Sequence, residues 1–311
     1  MRLLLSTLTL LLLVQATVLA QRKVAITIDD VPNTRLYKQK QFESKLMQQL
    51  DSLSIPIAIF INEGLIYKPD AIDENFILLH DWFQRDYITL GNHTFTHPRY
   101  SKVGFDEFKA NIMKGDDISI ELAKIYDKPL HHFRFPYNDL GKDSVQHVSM
   151  EHLLDSLGYA ITPFTIESMD WMFNYVYETY LRQGDISKAN YIGQQYVTTT
   201  IAFFDFFEQL SEKLYGRAVS HIYLCHDNQI NADFLGNIMQ QLEEKQYEFI
   251  SLDEALTDPI YEQADEYYDH RGISWIYRWM DHQEDRVKWM RQESNTEEIE
   301  SLYAEMVSKN K

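Results

Sequence analysis

Two aspartates stand side by side where a hydrophobic, β-branched run ends: Asp29 and Asp30 in ITIDDVPNT. Adjacent carboxylates repel, so a positive partner is called for, and later runs end in candidates. His93 and His97 occur in GNHTFTHP, Arg134 and Tyr137 in FRFPYND, Asp170 and Trp171 in ESMDW, and His226 in LCHDN. Two histidines four apart on one helical turn turn both imidazoles to one side, which suits a divalent metal. A catalytic metal takes a third protein ligand, commonly a carboxylate, and keeps a position open for water, whose pKa it lowers from ~15.7 to as little as ~7. With Asp30 as that ligand, Asp29 lies beside the water as general base. Arg134, flanked by Phe133, Phe135 and Pro136, would be held near the site and orient Asp29 by ion pairing. His226, with an ordinary pKa of ~6.5, suits a general acid, and Asp170 could hold its ring and favour its charged form.

Each group alone has a plainer alternative. Asp29-Asp30 could be a helix N-cap or turn, His93 and His97 a satisfied surface pair, Arg134 half of a rim ion pair worth roughly 0 to 1 kcal/mol, and His226 a core histidine. Their conjunction is what points to chemistry. Every group follows a strand-like run, and in parallel α/β folds the carboxyl ends of the strands open on one side.

The elements that must position them alternate. Strands are expected at Lys23 to Ile28, Ile57 to Ile61, Tyr87 to Leu90, His132 to Phe135, Tyr159 to Phe164, Ser220 to Cys225 and Glu248 to Leu252. Between them lie helical faces: Phe42, Leu46, Leu50 and Leu53; Phe76, Leu79 and Phe83; and Phe203, Phe207, Leu210 and Leu214. Continuous apolar strands alternating with helices predict a parallel sheet buried on both faces, either open and doubly wound or closed into a barrel. The interval Met172 to Arg217 is long enough for extra helices. Beyond Leu252 the pattern predicts a helical extension, charged and carrying aromatics at Trp275, Tyr277, Trp279 and Trp289, that packs on the domain.

The motifs TIDDVP, HTFTH, RFPY, ESMDW and LCHD, in that order, resemble those of the NodB-type polysaccharide deacetylases, carbohydrate esterase family 4. The resemblance runs from Thr27 to about Leu252. It implies a distorted (β/α) barrel of about seven parallel strands, here with a helical C-terminal extension, and metal-dependent hydrolysis of an N-acetyl, or sometimes O-acetyl, group on a sugar. Residue by residue, it implies Asp29 as base, and Asp30, His93 and His97 as ligands of one divalent metal, zinc foremost, with cobalt or nickel as alternatives. Arg134 resembles the tether of the base, and Tyr137 the residue whose backbone N–H helps hold the oxyanion. Asp170 resembles the partner of the acid His226, and Trp171 and Leu224 resemble walls of the acetyl pocket. The sequence departs from the family in having Ile28 and Val31 around the aspartates, where phenylalanine and glycine are usual, and Glu167 where aspartate is commoner. Valine resists backbone conformations that glycine permits, so the loop after Asp30 is expected to differ.

The first twenty residues, MRLLLSTLTLLLLVQATVLA, read as a signal peptide cut after Ala20, giving export to a periplasm or the cell exterior. Residues 21–258 are then the NodB-like domain and 259–311 the extension, with no transmembrane span after cleavage. The single cysteine, Cys225, rules out an intramolecular disulfide and is expected as a buried strand thiol. A net charge of −18 argues against nucleic-acid partners. The expected partner is an N-acetylated glycan of the peptidoglycan or chitin type. Two other readings stand beside the deacetylase: a glycan-binding protein of weak turnover on the same fold, and a phosphoryl-transfer site, which would leave both histidines unexplained and lacks a Gly-rich phosphate loop.

Overall fold

The computed structural model describes residues 21–309; the expected signal peptide, residues 1–20, lies outside the described residues. Among the described residues eight strands form one sheet: β1 (Arg22–Val31), β2 (Ile57–Ile61), β3 (Ile88–Asn92), β4 (Leu130–Phe133), β5 (Ala160–Ile161), β6 (Ile166–Glu167), β7 (Ser220–His226) and β8 (Tyr247–Phe249). The order is β5-β4-β3-β2-β1-β7-β6, with β8 paired to the start of β1, and the pairings are parallel. The sheet curls into a half-barrel whose edge strands, β5 and β6, do not pair with each other. This is the expected distorted barrel.

All seven expected strands have counterparts, with shifted ends. β1 runs through both aspartates to Val31, and β4 stops at Phe133, leaving Arg134 and Phe135 beyond it. The expected strand Tyr159 to Phe164 is reduced to two residues, and β6 is an unforeseen eighth. Leu252, expected in the last strand, begins the short helix Leu252–Ala255.

Alternation along the strands divides the core. Val24, Ile26, Ile57, Ile59 and Tyr223 meet the helices, among them Leu46, Leu50, Phe204 and Leu235. Ala25, Ala58, Phe60, Ile222 and Leu224 face the other way and pack with Ile250, Leu252 and Ala255. Burial on both faces is what a parallel sheet covered on two sides demands. The extra helices expected between Met172 and Arg217 are Asp170–Arg182 and Ile186–Tyr215. The second is capped by the Asp185 side chain at its start and by left-handed Gly216 at its end. Cys225 is buried and free, as expected, with its thiol pKa pushed up by burial.

Past residue 249 the described residues contain helices and turns but no strand, matching the expected helical extension. This segment covers the gap between β5 and β6. The Trp275 amide donates to the Phe164 carbonyl at 2.9 Å and Ser274 Oγ to the Thr165 carbonyl at 2.7 Å. The Trp275 side chain packs against all three hydrophobic clusters of the core.

Candidate active site

The paired aspartates are explained by a β-bulge. β1 and β2 are in register at Ile28 with Ile59 and again at Val31 with Ile61, so β1 carries one extra residue across that interval. A bulge re-aims side chains that would otherwise alternate across the sheet, so consecutive aspartates can serve one site. The left-handed residue is Asp30 itself, φ 61°, a region that aspartate tolerates better than most. Val31 is absent from the positive-φ residues and stays in the ladder. Valine thus stands where glycine is usual in the family without needing glycine's backbone freedom.

His93 follows β3, and the expectation that His93 and His97 share a helical turn is also corrected. Residues 93–97 form an irregular loop with Thr94 and His97 at positive φ, 69° and 58°. Asparagines hold it. Asn62, just past β2, donates to the carbonyls of His93 and Thr94; Asn92 Oδ1 accepts from the Thr94 amide; and Asn111 Oδ1 accepts from the amides of Phe95 and Thr96. The two rings still converge, with centroids 4.9 Å apart.

Asp30, His93 and His97 each present a ligand atom within 4.8 Å of the others. Asp30 Oδ1 lies 3.8 Å from His93 Nε2 and 3.3 Å from His97 Nε2, is sealed from solvent, and has no hydrogen-bond partner. His93 Nδ1 is 2.7 Å from the Arg134 carbonyl, a bond that fixes the ring and leaves Nε2 free for a ligand role. Burial, reinforced by the neighbouring His97, pushes the His93 pKa down to about 3, and burial also lowers that of His97. Both are neutral near pH 7, the form that binds metals. An orphaned carboxylate oxygen facing two neutral imidazoles fits a divalent metal.

Asp29, 2% exposed, is the fourth group. Its Oδ2 stands 3.8 Å from His93 Nε2, and its Oδ1 accepts from Arg134 Nη1 at 2.8 Å. Arg134 is fully buried; the same Nη1 donates to Thr27 Oγ1 at 2.6 Å, Nη2 donates to the Pro163 carbonyl at 3.2 Å, and Phe60 lies under the guanidinium at 4.1 Å. The base candidate is thus clamped by a guanidinium that Thr27, Pro163 and Phe60 hold on three other sides.

His226 ends β7 directly opposite Asp29 in the ladder. Its Nδ1 is 2.7 Å from Asp170 Oδ1, and Asp170 Oδ2 accepts from the His226 amide, Asn228 Nδ2 and Asn231 Nδ2 at 2.7–2.9 Å. Burial opposes charge on the imidazole, but Asp170, with Asp30 and Asp29 behind it, raises its pKa to about 10. Burial likewise opposes charge on Asp170, yet His226 and these donors hold its carboxyl below the ordinary value. Behind them runs a buried chain: Thr200 to Ser168, Ser168 with Tyr223, Tyr223 with Tyr196, and Tyr196 to Asn231. Glu167 is half-buried, accepts from the Met169 amide at 2.7 Å, and is pushed up to about 7 by desolvation and by Asp170.

Tyr137, φ 58°, lies past β4 with its ring 4.4 Å from that of His97 and the Arg99 guanidinium 3.8 Å over it. Leu224 is buried within the smaller core cluster. Trp171 is 45% exposed and meets Tyr303 of the helix Glu297–Lys309 edge-on at 5.4 Å. From Asp30 and His97 a cleft of about 890 Å³ extends past Asn33, Asn62 and Asp227 toward Lys68.

The sequence reading missed the groups that hold the others: Asn62, Asn92, Asn111, Asn228, Asn231, Thr27 and Tyr196. Asn62 and Asn92 had a signal, a polar residue at the carboxyl end of an apolar strand, the position that flagged the aspartates. Asn228 shared that signal, two residues past the end of β7, whereas Asn231 and Tyr196 had none: both lie inside helices, and Tyr196, in the run GQQYVTTT, reaches Asp170 only through Asn231.

Residues 17–153 match the family model for polysaccharide deacetylase, a stretch that includes the first three motifs; ESMDW and LCHD lie beyond it. A peptidoglycan-N-acetylglucosamine deacetylase of Bacillus cereus is 23% identical over 150 residues, 48% of this chain and 46% of that protein, so the match spans about half the length of that relative. Among solved structures, a carbohydrate esterase family 4 pseudoenzyme from Bacillus anthracis is 14% identical, with 82% of this chain and 70% of the other covered, TM-score 0.49. A chitin deacetylase of the fungus Colletotrichum lindemuthianum is 19% identical, with 77% and 90% covered, TM-score 0.48. The match to the family model bears out, over residues 17–153, the resemblance to the NodB-type polysaccharide deacetylases.

Proposed function

We propose that this protein is an exported, metal-dependent hydrolase that removes acetyl groups from N-acetylated amino sugars of a glycan. The observation that carries the reading is the orphaned Asp30 Oδ1 facing His93 and His97, with Asp29 and His226 on neighbouring strands beside it. Asp30, His93 and His97 would hold the ion, zinc foremost with cobalt or nickel as alternatives; when bound, it supplies a Lewis acid that polarises the acetyl carbonyl and acidifies water.

The chain's own residues divide the proton work. Asp29, oriented by Arg134, takes a proton from the attacking water as its oxygen bonds to the acetyl carbon. The Tyr137 amide donates to the carbonyl oxygen as negative charge develops there. His226 has Nδ1 committed to Asp170, so it gives the Nε2 proton to the sugar nitrogen as the carbon–nitrogen bond breaks. The products are a free amine and acetate. Trp171 and Leu224 would bound the acetyl group, and the cleft beyond Asp30 would take neighbouring sugars. Export rests on the N-terminal twenty residues, and among the described residues no helix is long and apolar enough to cross a membrane.

The test is acetate release from N-acetylglucosamine oligomers and peptidoglycan fragments by zinc- and cobalt-loaded protein, with Asp29→Asn and His226→Ala alongside. Release by the parent and its loss in both variants is the expected result. No release from any substrate under conditions where a known deacetylase works would overturn the reading.

A further inference from the structure

A second group of metal-ligating side chains lies outside the candidate active site. His131, His132 and Asp253 bring one ligand atom each within 4.8 Å of the others, and among the described residues they form one of two such clusters, the first being Asp30, His93 and His97. His132 Nε2 is 3.0 Å and His131 Nε2 3.5 Å from the same oxygen, Asp253 Oδ1. Tetrahedral ligands bound at about 2.0–2.1 Å stand about 3.3–3.4 Å apart, so these spacings bracket the value an ion requires. They match it at least as well as the 3.3 and 3.8 Å of the first cluster.

The backbone builds this cluster by the device that builds the first. Successive residues of a strand point to opposite faces, yet the rings of His131 and His132 lie 4.1 Å apart. β3 and β4 pair at Leu90 with Leu130 and at Gly91 with His132, so His131 is an extra, bulged residue. As at Asp29-Asp30, a bulge re-aims a side chain and unites two consecutive polar residues. The other ring nitrogen of His132, Nδ1, is 3.4 Å from Thr162 Oγ1, which orients Nε2 toward Asp253. His132 is buried, whereas His131 and Asp253 have side chains 40% and 58% exposed, so an ion has a path in from solvent.

We propose that His131, His132 and Asp253 form a second site for a divalent transition cation of the zinc class, toward the amino end of β4 and separate from the candidate active site. Two imidazoles and one carboxylate leave one coordination position to solvent. The ion would tie β4, next to the open edge of the sheet, to the helix Leu252–Ala255 that plugs its inner face. Its role is structural and does not depend on the deacetylase reading.

The test is zinc stoichiometry by equilibrium dialysis and elemental analysis on the full chain, with thermal melts and cobalt absorption in parallel. In a His93→Ala/His97→Ala background one ion per chain should remain and raise the melting temperature. Adding Asp253→Asn or His131→Ala, both at exposed positions, should weaken its binding at least ten-fold and abolish the thermal gain. In the parent background the same single substitutions should take the stoichiometry from two ions to one. A double-histidine variant that is folded by circular dichroism but binds no zinc overturns the proposal. So does zinc binding that Asp253→Asn and His131→Ala both leave unchanged.

Discussion

Arg134 reaches Asp29 with Nη1 at 2.8 Å, and through its own carbonyl, 2.7 Å from Nδ1, it also fixes the ring of His93. One residue therefore orients a base candidate and a ligand candidate from opposite ends of itself. Breaking a buried ion pair from one side leaves an uncompensated charge and costs about 3–5 kcal/mol. Arg134→Met should lose stability on that scale in denaturant melts. The double variant Asp29→Asn/Arg134→Met should recover part of the loss, giving a coupling energy between the two positions. Additive losses would show that the pair is not coupled.

The His226–Asp170 pair predicts a pH dependence. In metal-free protein the imidazole is raised to about 10 by Asp170 and the aspartates behind it. Its contribution to stability is fully present below its unfolded value of 6.5 and is lost as the pH rises through about 10. Asp170, held below its ordinary 3.8, contributes above that value and loses its contribution as the pH falls through the lowered one. Asp170→Asn should flatten the alkaline decline in urea midpoints and bring the His226 titration, read by NMR, down by more than one unit. An unmoved titration would mean that Asp170 does not set the charge of the imidazole.

Asn62 supports the loop that carries both histidines without reaching any ion itself. Removing a partner that orients ligands typically costs 10- to 100-fold in metal affinity. Asn62→Leu should weaken zinc binding at the candidate active site by that factor, measured calorimetrically in an Asp253→Asn background, whereas His93→Ala should abolish it there. Equal affinity in Asn62→Leu and the parent would assign Asn62 to folding alone.

The legible part of this molecule was its strand ends. Apolar runs place strands, and a polar residue that ends such a run lies at the mouth of a parallel sheet, so Asp29, His93, Arg134 and His226 could be read before any geometry. What eluded the reading was local shape. A spacing of four suggested a helical turn for His93 and His97, but the loop bends through left-handed Thr94 and His97, held by Asn92 at the end of β3 and by Asn62 and Asn111 from two other segments. Spacing encodes a turn only where neighbouring residues supply the period, and HTFTH supplies none. Bulges are hidden for a related reason: an extra residue is defined against the partner strand, so the side-by-side placement of Asp29 with Asp30, or of His131 with His132, appears only when β2 and β3 are laid alongside.

The C-terminal segment bears on the site through Gly272. A Cβ at this position would run into the carbonyl oxygen of Tyr137 and stand 2.8 Å from Asn138 Cβ. The first is backbone and cannot swing aside as a flexible side chain would, and Tyr137 already sits at φ 58°. Gly272→Ala should therefore displace the Tyr137 loop or lift the segment from it, at a cost of about 1–3 kcal/mol for overpacking. If the Tyr137 amide serves the developing oxyanion, a shift of a few tenths of an ångström weakens transition-state binding more than ground-state binding, so kcat should fall with KM little changed. Gly272→Ser should behave alike, because the clash is with Cβ. Normal kcat in a variant whose melting temperature has dropped would separate the segment's packing role from any part in catalysis.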